Sequence, residues 1–362
     1  MLQVANQSPF SASLSVFPDT AGVESAFAVV KATFKIGANG PELAMPQLPL
    51  LAADVYWGDP TQTSLRAVGE FALPKPATDV LLVGRAIAPV SNTRVADVRL
   101  RVGPVSRTIR VFGDRHWVKV GEGKWQPSAP EVWDRMPLRW ELAWGGIAPL
   151  MHGQPVQEYE PRNPVGRGFV AAKGEPTEGQ ALPNLEDPAA LLATPADRPV
   201  PACFAPIAPT WMPRRAHVGT YDEAWTSKRS PYLPLDFDSR YFQVAPTALI
   251  APGWLQGGEP VELAGFSMGE PITFELPQCE LEIDFDFDGA KVPKPAQLEM
   301  VLFEPDAGRF QMLWRAGLAV DKRLLKLKQV NVRSRAYARD GSKARPLGAL
   351  NNGMPSAYAA AD

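Results

Sequence analysis

The chain has 362 residues, with 37 basic and 39 acidic side chains and a formal net charge of −2. That balance excludes a protein built mainly to neutralise phosphate backbones or anionic lipid. Charged residues at 21% and hydrophobic ones at 45% are globular proportions, too apolar for a disordered chain.

Two cysteines, Cys203 and Cys279, are too few for a disulfide framework or a four-cysteine zinc site. Residues Met1 to Ser8 carry no basic n-region and no apolar h-region. No apolar run reaches the roughly 18 residues that would span a bilayer. The expectation is a soluble, cytoplasmic protein with no membrane partner. Proline stands out: 38 residues, beside 29 glycines and 10 tryptophans. Proline breaks long helices and tryptophan fills cores and contact surfaces, so short strands joined by rigid loops are expected.

Taken in chain order, Ala12, Leu14 and Val16 alternate with Ser11, Ser13 and Ser15, the period of a half-buried strand. Asp19 to Gly22 is a turn. Ala26, Ala28, Val30, Ala32, Phe34 and Ile36 then form an apolar face opposite Lys31, Thr33 and Lys35, which predicts an antiparallel hairpin. Val80 to Ala88 repeats the pattern. Val98, Leu100 and Val102 repeat it again opposite Asp97, Arg99 and Arg101, before a strand at Thr108 to Phe112. Leu138 to Trp144 is the best helical candidate, and it is short.

From Gly146 to Pro260 the periodicity stops, and 18 of the 38 prolines lie there. A flexible linker would be poor in aromatics; this block holds Trp211, Tyr221, Trp225, Tyr232 and Trp254, so it reads as ordered irregular structure. Ala171 to Gly179 is expected to be a mobile loop. Strands return at Ile272 to Leu276, Cys279 to Phe287, Leu298 to Phe303 and Phe310 to Arg315. The fold class is therefore mainly β: packed antiparallel sheets, sandwich-like, as one domain over residues 1–320. Residues 321–362 read as a basic extension and a frayed tail.

Most apparent motifs fail on their context. Gly265-Phe-Ser267-Met-Gly269 spells a nucleophile elbow, but a strand-like run follows it and no histidine lies beyond His217. Asp284 to Gly289 imitates a calcium loop whose twelfth position is Pro295 instead of Glu. Glu280, Glu282, Asp284, Asp286 and Asp288 read instead as a solvated acidic strand face, which the basic C-terminal segment could answer. His116, His152 and His217 match no zinc spacing, so neither metal nor cofactor is expected. The basic segment holds one aromatic, Tyr337, which serves base stacking poorly, so no nucleic acid is expected either.

A set of phrases carries a resemblance. In order they are Lys31-Ala-Thr-Phe34, Asp54-Val-Tyr-Trp-Gly-Asp-Pro60, Lys75-Pro-Ala-Thr-Asp79 and Val111-Phe-Gly-Asp-Arg115. Glu160-Pro-Arg-Asn-Pro-Val-Gly-Arg-Gly-Phe169, Leu182-Pro-Asn-Leu-Glu-Asp-Pro188 and Gly219-Thr-Tyr-Asp-Glu-Ala-Trp225 follow. Leu233-Pro-Leu-Asp-Phe-Asp238 and Leu313-Trp-Arg315 complete the set. Together, from about Pro9 to Arg315, they resemble the bacterial domain-of-unknown-function family numbered 2169, associated with type VI secretion. The resemblance implies a cytosolic adaptor or chaperone that holds a toxic effector and delivers it to the spike of VgrG and PAAR-repeat proteins. It implies no enzyme and brings no catalytic residues.

The middle block is the expected partner-binding surface, because interface energy concentrates in aromatics and arginine on rigid loops. Its candidates are Arg162, Asn163, Trp211, Tyr221, Asp222, Trp225, Asp236 and Asp238. Two alternatives compete: an enzyme with a carboxylate site around Glu160, Arg162, Asp222 and Asp238, and a structural part of the secretion apparatus.

Overall fold

The computed structural model describes residues 3–148, 157–337 and 340–343. The chain is mainly β, as the alternation predicts. In the largest sheet, Ser11–Pro18, Glu24–Gly37, Arg309–Ala319, Gln297–Glu304 and Asp79–Leu82 lie side by side in that order. Gly40–Leu43 pairs with the end of the second of these strands. All pairings are antiparallel except the last, where Asp79–Leu82 runs parallel to Gln297–Glu304. A second sheet orders Leu185–Glu186, Val105–Phe112, Val95–Val102, Pro260–Ala264 and Ile272–Glu275. The third orders Gln3–Asn6, Gln329–Ser334, Leu281–Phe287 and Ala290–Lys294. One apolar core joins all three, and Phe274 of the second sheet stacks on Phe310 of the first at 5.1 Å.

Several local expectations change. Alternation puts Lys31 and Thr33 on a polar face, yet both are buried. The segment after Gly40–Leu43 folds over that face, where Lys31 Nζ meets the Pro49 carbonyl and the Glu70 carboxylate. The expected helix at Leu138 to Trp144 is a single 3-10 turn, Trp140–Leu142, followed by the two-residue strand Trp144–Gly145. Gly145 and Gly146 explain the stop: their φ values are +144° and +105°, and a Cβ on Gly145 would lie 2.3 Å from the Asn163 carbonyl oxygen. Only glycine fits there.

The acidic ribbon is also revised. Asp284 is buried, accepting from Asn331 Nδ2 at 2.6 Å and from Arg333 Nη2 at 2.8 Å. Glu282 takes Arg333 and Arg335. These basic partners belong to the segment read as an extension. Residues 321–334 instead complete the fold, with Gln329–Ser334 paired on both sides. The tail expected to fray, the last dozen residues, lies outside the described residues. Ala171 to Gly179, expected to be mobile, begins on a buried Ala171 and closes a turn from Gly174 N to the Ala171 carbonyl. The serine motif is a plain turn, with Ser267 Oγ donating to the Glu270 carbonyl at 2.7 Å.

Candidate protein-binding surface

The irregular middle block divides into a scaffold and an exposed lobe. Asn163 belongs to the scaffold: it is fully buried, and its Nδ2 donates to the carbonyls of Trp140 at 2.8 Å and Trp144 at 3.0 Å. Trp211 is buried too, edge-on to Trp140 at 6.1 Å. Neither presents a surface, which corrects the expectation for both. Residue type alone could not separate a loop staple from an anchor; burial does.

The lobe runs from Gly219 to Phe242. Its α-helix, Glu223–Lys228, is the only one among the described residues. Asp222 caps it, accepting from Trp225 N at 2.8 Å. Asp236 accepts from Thr220 N and Oγ1 at 3.0 and 2.7 Å. Asp238 caps the 3-10 turn Ser239–Phe242 and takes Arg240 Nε at 2.7 Å. The hydrogen bonds from Thr220 hold the Asp236 carboxyl below its usual value, and the Arg240 side chain does the same for Asp238. Trp225 Nε1 donates to the Tyr232 carbonyl at 2.8 Å, and Tyr221 meets the Trp225 ring at 4.6 Å. Arg229 ties the lobe to the first hairpin through the Thr20 carbonyl.

Among exposed polar and charged side chains, this framework displays three large apolar or aromatic ones. Tyr221 is 49% exposed, Tyr232 41% and Leu235 86%. The sequence candidates omitted Tyr232 and Leu235, and the signal for Leu235 was available: an apolar residue between Pro234 and Asp236 in a block with no periodicity.

Arg162 lies elsewhere. It is bidentate to Glu160, at 2.6 and 2.8 Å, and its guanidinium stands 5.6 Å from the Trp144 ring centre. It lines a groove of about 770 Å³ whose walls include Pro161, Pro188, Pro201, Pro213 and Pro246 over the Trp140 ring. The 3-10 turn Arg214–His217 links groove and lobe: Met212 and Pro213 wall the groove, and the His217 carbonyl receives Asp238 N at 3.0 Å. Of the four residues weighed for an acid–base site, Glu160 is engaged by Arg162, Asp222 by the helix N-terminus and Asp238 by Arg240. Among the described residues, no three or more His, Cys, Asp or Glu side chains gather as a metal site. No helix among them is long and apolar enough to cross a membrane.

Several of the remaining phrases pair with one another inside the molecule. Arg115 is buried against Glu186, and Asn184 Nδ2 reaches Phe112 O and Asp114 Oδ1 at 3.1 and 2.9 Å. Lys31, Lys75, Asp79 and Arg315 come from three distant phrases and share one buried ionic cluster with Glu70 and Glu299.

The family model described as "Uncharacterized protein conserved in bacteria (DUF2169)" matches residues 21–315. The chain belongs to that bacterial family. No curated protein and no solved structure matches it.

Proposed function

We propose that this protein is a type VI secretion accessory protein, an adaptor that binds a toxic effector and loads it onto the VgrG/PAAR spike. One observation carries the protein-binding part: Tyr221, Tyr232 and Leu235 are exposed on a lobe whose backbone is locked by Asp222, Asp236 and Asp238. A contact surface held in advance loses little conformational entropy on association. The secretion setting rests on family membership and the phrases that carry it. The engaged states of Glu160, Asp222 and Asp238 support binding over acid–base chemistry, which needs a carboxyl free to exchange protons.

Titration calorimetry with the effector encoded beside this gene tests the reading. Leu235→Glu and Tyr221→Ala alter exposed side chains, so both variants stay folded and bind the effector at least about tenfold more weakly. Unchanged affinity in both folded variants would remove the lobe from the interface. No binding by the wild type would remove the adaptor reading.

A further inference from the structure

Beside the groove, one strand is only partly paired. Leu185–Glu186 covers Val105–Phe112 at Arg110 and Val111 alone. Phe112 N–H points to that side, donating to the Asn184 carbonyl at 2.8 Å. Backbone direction alternates along a strand, so the N–H and C=O of Ser106 and Thr108 face the same way. Among the described residues they have no backbone partner on that side. Ser106 and Thr108 line the groove. Open edge and groove are one feature.

Between them stands Arg107. Its pattern position is inward, with Val105, Ile109 and Val111, which are all buried. The only hydrogen bond of its side chain among the described residues is a long one, Nη2 to the Pro201 carbonyl at 3.3 Å. No nearby charge forms an ion pair with it among the described residues: Arg162 is held by Glu160, and Asp187, whose Oδ1 accepts from Ala189 N at 2.9 Å, acts on it only at longer range. Burial lowers the Arg107 pKa, and Cys203 and Asp187 offset this only in part. A half-buried guanidinium with spare donors in an apolar groove favours a carboxylate, since charge-assisted pairs strengthen as water is excluded.

We propose that the groove takes an extended peptide segment of a protein partner as an added strand along Ser106–Thr108. An acidic side chain of that segment sits on Arg107 and its apolar side chains lie on the proline walls. Two features select a peptide over a metabolite. The open edge offers main-chain donors and acceptors at strand spacing, which only another backbone matches. The proline walls offer rigid apolar ridges with no N–H of their own. This deepens the protein-binding reading and rests on it.

The test begins with a phage-displayed random 12-residue library selected on the folded full-length protein. The expected sequences carry one Asp or Glu beside apolar residues. In a synthetic selected peptide, replacing that acid by its amide weakens binding by about tenfold for the wild type but less than about twofold for Arg107→Gln. N-methylation at alternate peptide positions abolishes binding, and at the positions between leaves it intact. Thr108→Pro blocks the edge without removing a bond to Val95–Val102, because the Thr108 N–H faces outward; it also abolishes binding. Selection of no peptide, selection of basic peptides, an acid effect that persists in Arg107→Gln, or indifference to N-methylation would each overturn the proposal. Should the effector bind Thr108→Pro and Arg107→Gln as tightly as wild type, the groove proposal fails and the adaptor reading stands. Should peptides behave as described while the effector binds nothing, the adaptor reading fails alone.

Discussion

Arg315 donates Nε to Glu299 Oε2 at 2.8 Å, across neighbouring strands and with both side chains buried. The other Glu299 oxygen accepts the backbone N–H of Lys75 at 3.0 Å, and Lys75 Nζ reaches Asp79 at 2.6 Å. Arg315 Nη2 donates to the carbonyl of Glu70, whose carboxylate holds Lys31. The cluster locks the long irregular segment before Lys75 onto the largest sheet.

Arg315→Met would leave the buried Glu299 carboxylate without its cation. Removing one partner of a buried pair costs about 3–5 kcal/mol. Urea unfolding followed by tryptophan fluorescence should show that loss. A difference under about 1 kcal/mol would mean that the cluster relaxes or hydrates.

Asn163 gives a sharper comparison. Asn163→Ala removes the donor to the Trp140 and Trp144 carbonyls and should cost about 1–3 kcal/mol. Asn163→Asp keeps the shape but sets an acceptor against those oxygens, so its loss should be larger. Equal melting curves for the two variants would contradict the donor role.

Both cysteines are buried. Burial pushes the Cys203 thiol up to about 12 and the Cys279 thiol higher still. The thiolate is the reactive form, so Ellman's reagent at pH 8 should find neither thiol in the native protein and both in guanidinium chloride. Rapid native labelling would place a cysteine at the surface.

Glu282 titrates below its usual range because Arg335, then Arg333, donates to its carboxylate. The folded pKa is depressed, so its contribution is present above the unfolded value and is lost as pH falls through the folded one. The pair is partly exposed and screened, so that contribution is under about 1 kcal/mol. The stability gap between wild type and Glu282→Gln should be open at pH 7 and close in acid. Glu70 and Glu186 have the opposite sign: burial raises both against the pull of Lys31 and Arg115. Their folded forms take up protons first, so falling pH initially favours the folded state at those two sites.

Strand periodicity was legible wherever one face meets water. Val95–Val102 alternates in exposure along its length, as Val98, Leu100 and Val102 predict. It misled where both faces are covered: Lys31 looks solvated in sequence, and only the segment carrying Pro49 and Glu70 buries it. Asp284 misled for the same reason: its partners Asn331 and Arg333 lie on a strand embedded in a segment whose overall basic charge reads as an extension. In the middle block Asp222, Asp236 and Asp238 were found, but as residues that shape loops. Asn163 and Trp211 could not be told from surface residues without knowing what packs on them. Arg107 does carry a signal in the sequence: a charge at the inward position of a strand.

Gln3–Asn6 lies parallel to Gln329–Ser334, with Val4 opposite Val330 and Asn6 opposite Asn331's neighbour Val332. On a ribosome the first of these segments emerges long before its neighbour exists. Until then Leu281–Phe287 lacks the strand that neutralises Glu282 and Asp284, and Gln3–Asn6 has nothing to pair with. Pairing across such a sequence separation is slow and comes late. The third sheet is thus a clasp that fastens only once Gln329–Ser334 has emerged, and a nascent chain stalled before Gln329 would expose Val4 and Phe285 to chaperones and to other chains.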